Sequence, residues 1–108
     1  MFLKTFLKLK RGASVGVTEI NFYKGERKEV SATIRPYQSN EVVVIQSATY
    51  EVTKMFAKED VLFNGDCEIN NDEITILLEF LDVGQYELEV TAIVGREKLI
   101  EKAKINVI

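Results

Sequence analysis

The chain has no histidine, no tryptophan, one cysteine and one proline among its 108 residues. Without histidine, neither a Ser-His-Asp nor a Cys-His catalytic system can be built within the chain, and the commonest transition-metal ligand is missing. The single cysteine, Cys67, excludes an intrachain disulfide, which suits a reducing compartment. Because its neighbours Asp66 and Glu68 are acidic, they should raise the pKa of the thiol. We therefore interpret Cys67 as a small apolar residue on a strand and not as a nucleophile.

Long apolar runs are also missing. The longest are of the length of residues 42–45, far below the roughly 20 residues that span a membrane. Residues 2–9 are interrupted by Lys4 and Lys8, and no small-residue cleavage pattern follows them, so they do not have the pattern of a signal peptide. We expect synthesis in the cytoplasm without a leader, and no membrane partner.

Charge is distributed unevenly along the chain. It contains 14 basic and 17 acidic residues, a net charge of −3, which gives no general attraction to nucleic acid and predicts no nucleic-acid partner. Residues 1–12 hold four of the basic residues, Lys4, Lys8, Lys10 and Arg11, and no acidic one. The remainder therefore carries 10 basic and 17 acidic residues, a net charge of −7.

What is abundant is alternation of apolar and polar residues, the pattern of strands with one buried face. A chain of this length with 46% apolar and 29% charged residues fits one globular domain. Turn signals follow at close spacing with no room for helical crossovers, which favours a β-sandwich over an α/β fold. Residues 54–57 fit no element, and Asn64-Gly65 predicts a hairpin turn. Strands are predicted over 15–23, 29–35, 58–63, 66–69, 73–80, 86–94 and 98–107, and residues 41–53 hold two further β-rich stretches, 42–45 and 48–52.

Residues 1–13 form a basic, amphipathic N-terminal arm ahead of a domain over 14–108. As a helix the arm presents Phe2, Leu3, Phe6 and Leu7 on one face, and as a strand it alternates Leu3, Leu7 and Leu9 against the lysines; the sequence leaves both forms open. The domain does not need these apolar residues to complete its core, and in water they would favour aggregation. We expect the arm to pack on another subunit, the alternative being that it folds back on its own domain. The expected assembly contacts are Phe2, Leu3, Phe6, Leu7 and Leu9.

Two acidic patterns are candidate chemical sites. Asp66, Glu68, Asn70 and Asp72 alternate in the manner of a calcium loop, but the glycine and the late glutamate of an EF-hand are out of register, so a solvated hairpin is favoured. Glu87 and Glu89 share a strand face about 7 Å apart, a separation seen in glycosidases, but as surface residues they serve solubility. The sequence therefore predicts no catalytic residue, no metal site and no cofactor.

The segment 81–86 joins two of the most regular strands. Gly84 allows a positive φ between them. Tyr86 begins the next strand on its apolar face, so its hydroxyl needs a partner, most simply a nearby backbone group. The arrangement of Asp82, Gly84 and Tyr86 resembles the tyrosine corner of immunoglobulin-like and fibronectin-type sandwiches.

From Glu19 onward the chain resembles the immunoglobulin-like domains of bacteriophage and prophage tail, baseplate and fibre proteins. The resemblance lies in Phe22–Glu26, the SATYEV segment 47–52, the Phe63-Asn64-Gly65 turn, the corner, and a closing hairpin through Gly95. It implies an all-β, immunoglobulin-like antiparallel sandwich of seven or eight strands with an extra N-terminal arm.

The resemblance also implies a function. It is that of a non-enzymatic structural protein assembled into a virion, whose partners are itself, as a homo-oligomer, or other particle proteins. The first alternative is a bacterial cell-surface or secreted immunoglobulin-like binding module. The second is a small enzyme or metal protein, which the missing constellations disfavour.

Overall fold

The structure, a computed structural model, describes residues 4–9, 18–34 and 42–108. These residues form nine strands, and none of them forms a helix long and apolar enough to cross a membrane. The strands are β1 (Lys4–Leu9), β2 (Thr18–Phe22), β3 (Arg27–Ile34), β4 (Ile45–Lys54), β5 (Ala57–Asp66), β6 (Glu68–Asn70), β7 (Glu73–Glu79), β8 (Gly84–Val94) and β9 (Glu97–Val107).

The strands pair into two sheets, as an immunoglobulin-like sandwich requires. One sheet has the order β1-β3-β7-β6 and the other β2-β9-β8-β4-β5. Consecutive strands from β3 onward divide between the sheets in the arrangement of an immunoglobulin domain with one added edge strand, β5. The all-β sandwich predicted from the alternation is therefore correct.

Two pairings differ from the fully antiparallel sandwich that the sequence predicted. β1 pairs with β3 in parallel, and β2 pairs with β9 in parallel. The two strands of a parallel pair are not linked by a hairpin and are distant in sequence, so the turn signals that indicate antiparallel pairs do not reveal them. The first two strands therefore each complete the edge of a different sheet.

The core lies between the sheets and follows the period of two. In β8 the side chains of Tyr86, Leu88, Val90, Ala92 and Val94 are all buried, while the residues between them are half-buried. Leu88 is fully buried two residues after Tyr86, at the position where antibody domains carry the second cysteine of their inter-sheet disulfide. Apolar packing therefore closes this sandwich where a covalent bridge closes an antibody domain.

The hairpin predicted at Asn64-Gly65 is wrong. Both residues lie within β5, where Gly65 pairs with Tyr50 of β4. A Cβ atom at Gly65 would lie 3.3 Å from two atoms of the Tyr50 side chain, so glycine here permits a close approach between strands. The turn is instead at Met55-Phe56, in the stretch that fitted no element, with Lys54 paired to Ala57 across it.

The N-terminal arm is a strand over residues 4–9, and the helical alternative is wrong there. Its backbone pairs with β3 of the same chain, from Lys4 opposite Glu29 to Leu9 opposite Ile34. Phe6, Leu7 and Leu9 lie in this strand. Phe2 and Leu3 lie outside the described residues, as does the boundary between residues 13 and 14.

Candidate assembly surfaces

The tyrosine corner is formed by the connection between β7 and β8. The Tyr86 hydroxyl donates a hydrogen bond to the backbone carbonyl oxygen of Asp82 at 2.9 Å, four residues upstream. Gly84 between them has a φ of 156°. This is the hydrogen bond expected from the sequence, and it fixes the loop that enters β8.

An aromatic cluster supports the corner from within the core. The ring of Phe80 lies 4.8 Å from that of Tyr86, 5.0 Å from Phe22 and 5.7 Å from Phe63, measured between centroids. Burial raises the pKa of the Tyr86 phenol, and the nearby negative charge of Asp82 raises it further. The phenol is therefore held as a neutral donor.

Exposed apolar residues collect at the same end of the sandwich as the corner. Phe22, Val107 and Gly84 lie side by side in neighbouring strands, so the residues just beyond them, Tyr23, Ile108 and Val83, also lie side by side. The Lys24 amide donates to the Ile108 carbonyl at 2.9 Å and holds this edge together. The fractional exposures are 67% for Tyr23, 63% for Ile108 and 63% for Val83.

Two more residues extend this surface. Phe56 stands in the turn after β4, next to Met55, whose amide donates to the Gln85 carbonyl at 3.0 Å. Leu81 lies in the corner loop and is 68% exposed. We call the surface formed by Tyr23, Phe56, Leu81, Val83 and Ile108 the apolar end.

Phe56 is the most exposed large apolar residue among those described, at 93%. Its φ is 68°, in the left-handed region that bulky residues rarely adopt. A residue held there costs about 1–3 kcal/mol, and such outliers cluster at functional sites. The Phe56 side chain therefore does not stabilise the core, and its backbone conformation is unfavourable.

The opposite end of the sandwich carries a groove. It has a volume of ≈ 560 Å³ and is lined by the segment before β4 and by the β6–β7 connection. Val42 and Val44 in its wall are 83% and 62% exposed, and Ile69 is 38% exposed. We call the surface formed by Val42, Val44, Ile69, Asn71 and Asp72 the apolar groove.

The outer face of the five-stranded sheet carries both acidic and basic side chains. Glu87 and Glu89, considered as a carboxylate pair from the sequence, both contact the Lys102 ammonium, at 3.8 and 3.6 Å. Such exposed ion pairs contribute little to stability. The arrangement fits the solvated surface that the sequence favoured.

The calcium-like pattern is spread over several elements. Asp66 ends β5, Glu68 and Asn70 lie in β6, and Asp72 lies with Asn71 in the turn before β7. Within residues 18–34 and 42–108, no three acidic or cysteine side chains are grouped so as to hold a metal ion.

Cys67 is buried, with 7% exposure, between β5 and β6. Burial raises the pKa of its thiol from 9.0 to about 11, and the charge of Asp66 adds to the effect. The predicted direction is confirmed, but the main cause is the loss of water around the sulfur, which the acidic neighbours alone did not reveal.

Sequence reasoning missed both apolar surfaces. Phe56 lies in a stretch without a pattern. Val42 and Val44 lie in a stretch with the composition of a strand, whereas β4 begins only at Ile45. The one available signal was that Phe56 is aromatic although Lys54 and Lys58, two positions before and after it, are polar.

Comparisons with known proteins show likeness in structure only. No family model matches the chain, and no curated protein matches its sequence. The N-terminal domain of phage TP901-1 ORF48 is similar in structure with a TM-score of 0.54 and 10% identity, over 96% of this chain and 97% of that one. An immunoglobulin domain in the ZIG-8–RIG-5 IG1–IG1 heterodimer gives a TM-score of 0.48 and 11% identity, over 92% and 89%. The likeness to the phage domain shows a shared fold and nothing beyond it.

Proposed function

We propose that this chain is a non-enzymatic structural protein of a phage or prophage particle, placed in its tail, baseplate or fibres. The observation that carries the proposal is the likeness to a phage protein's N-terminal domain, which extends over nearly the whole of both chains. The exposed apolar surfaces at the two ends of the sandwich support a role based on protein contacts, because apolar patches of this kind mark interaction sites. The chain is made in the cytoplasm and joins the particle there.

The proposal is tested by asking whether the chain travels with particles. Particles are purified on a density gradient from an induced culture carrying the gene, and the chain is detected with an antibody. It should band with the particles and stay there after a high-salt wash, while an abundant host cytoplasmic protein is washed away. Recovery of the chain only from particle-free fractions would rule out the proposal.

The N-terminal arm is proposed as one contact in this assembly. Its residues 1–12 are basic, and the rest of the chain is acidic, so the arm is attracted to a neighbouring copy, which favours encounter and register. Within one chain, its strand β1 occupies the open edge of β3, and the same edge of a neighbour can accept it by strand exchange.

Deleting residues 1–12 and measuring mass by light scattering tests the arm contact. A full-length monomer at tens of micromolar, or an oligomer that survives the deletion, contradicts it.

A further inference from the structure

We propose that copies of this chain bind one another head to tail, with the apolar end of one copy seated in the apolar groove of the next. The inference names a partner for the assembly role proposed above and rests on that role. It is carried by a different observation, namely two unlike apolar surfaces at opposite ends of one sandwich.

The two surfaces are fixed relative to each other by a single strand. β4 begins at Ile45, beside the groove, and ends at Lys54, beside Phe56. Its ten residues span about 30 Å when extended. The apolar end of a chain therefore cannot reach its own groove, and an apolar end that fills the groove belongs to a second copy.

The surfaces differ in shape in a way that favours a head-to-tail contact. Phe56 projects from a two-residue turn, whereas the groove is a concavity of ≈ 560 Å³. If two apolar ends met each other, two projecting phenylalanines would face each other without a pocket for either. A contact between unlike surfaces repeats from copy to copy and gives a ring or a filament.

The charges near the two surfaces also favour a head-to-tail contact. Asp72 is the charged group that lines the groove among the described residues. The apolar end is flanked by the exposed Lys24 and Lys54 and by the acidic Asp82 of the corner loop. Glu26, whose carboxylate accepts a hydrogen bond from the Tyr23 amide, is paired with the Lys28 ammonium at 3.4 Å. Placing the apolar end in the groove brings the lysines towards Asp72, which favours register, whereas two apolar ends would bring the lysines of both copies together.

The size of the surfaces predicts a weak contact. Five exposed side chains of about 100 Å² each give roughly 500 Å² per partner, which lies in the range of functional patches on monomers. The two partners together would bury roughly 1,000 Å², at the lower limit of specific interfaces. Self-association through this contact should therefore appear only at high concentration, as inside a particle.

The test uses two variants, each with one surface disabled, and a matched control. Phe56→Ser disables the apolar end and Val44→Asp disables the groove. Leu77→Ser removes an apolar residue of β7 that is 54% exposed and belongs to neither surface. Sedimentation velocity is run from about 1 µM to about 1 mM, the range of weak protein contacts. Urea unfolding of each variant confirms that it is folded.

The wild type and the Leu77→Ser variant should form progressively larger species as concentration rises. Each disabled variant alone should form no species larger than the arm contact produces and should not grow further as concentration rises. An equimolar mixture of the two should form larger species than either variant alone, because one intact end and one intact groove then meet. This mixing result is specific to a contact between unlike surfaces.

Three results would overturn the inference: a wild type no larger than the disabled variants, a mixture no larger than its two components, or a Val44→Asp variant that grows with concentration as the wild type does. The last would show that like surfaces pair. The particle experiment separates this inference from the proposed function. A chain found in particles whose self-association is unchanged by both substitutions contradicts only the inference, and a chain that self-associates through these surfaces but is absent from particles contradicts only the proposed function.

Discussion

At the scale of single residues, the Tyr86 hydroxyl joins the corner loop to the core. Tyr86→Phe removes the donor and leaves the Asp82 carbonyl without this bond, while the buried ring and its contact with Phe80 stay. The free energy of unfolding should fall by about 1 kcal/mol, because the carbonyl lies in an exposed loop and can be hydrated. Urea denaturation measures this. Tyr23→Phe, which alters an exposed tyrosine, is the control and should leave the midpoint unchanged; an equal effect of both would contradict the role of the corner.

Cys67 makes a prediction about alkaline pH. The pKa of its thiol is raised from 9.0 to about 11 in the folded chain. Between these values the folded chain keeps a proton that the unfolded chain has lost, so the free energy of unfolding falls as pH rises. The thiol contributes its full share below pH 9.0 and has lost it above about 11.

Cys67→Ala isolates this contribution, because it leaves the tyrosines and lysines to titrate as before. From pH 8 to about 11, the wild type should lose on the order of 2 kcal/mol more stability than the variant. Denaturant midpoints across the range provide the measurement. Parallel pH profiles for the two proteins would show that the thiol is not desolvated.

At the scale of elements, the β4–β5 turn holds Phe56 in an unfavourable backbone conformation. Asparagine tolerates a positive φ, and the exposed ring loses no core packing when removed, so Phe56→Asn should raise the free energy of unfolding by about 1 kcal/mol. Asn71, with a φ of 59° in the turn before β7, is the reciprocal control. Asn71→Ala should lower stability by a similar amount. A destabilised Phe56→Asn variant would mean that the ring packs on the sandwich.

The strands that could be predicted are those whose alternation is uninterrupted. In β8 every second residue is buried, so local sequence alone defines the element and its inner face. The corner was predictable for the same reason, because Gly84 and Tyr86 act within a few residues of each other.

The misplaced hairpin had a non-local cause. A glycine can serve a turn or a close approach, and only Tyr50, fifteen residues earlier on β4, decides which applies at Gly65. The parallel pairing of β2 with β9 likewise depends on residues far apart in the chain. The apolar surfaces could not be predicted because burial is inferred from the rule that apolar residues lie inside and polar residues outside. Exposed apolar residues such as Phe56 do not follow that rule.

At the scale of the whole molecule, we expect stability to be independent of calcium. The acidic residues of 66–72 are spread over β5, β6 and a turn, and a ligand that binds only the folded state must raise its stability by mass action. The melting temperature should therefore be the same in excess calcium and in chelator. A calcium-dependent rise of several degrees would show that these carboxylates bind the ion.

The parallel pairing of β2 with β9 also determines how the sandwich responds to force. Thr18 at the start of β2 lies beside Ala103, and Phe22 at its end lies beside Val107. Tension applied just before β2 and just after β9 therefore pulls the strands past each other in shear, so that all their hydrogen bonds are loaded at once. Tension applied between Tyr23 and Ile108, which are neighbours, opens the same pairs one at a time and should need less force. Pulled from the start of β2 and the end of β9, the domain should therefore resist a larger force than when it is pulled between Tyr23 and Ile108.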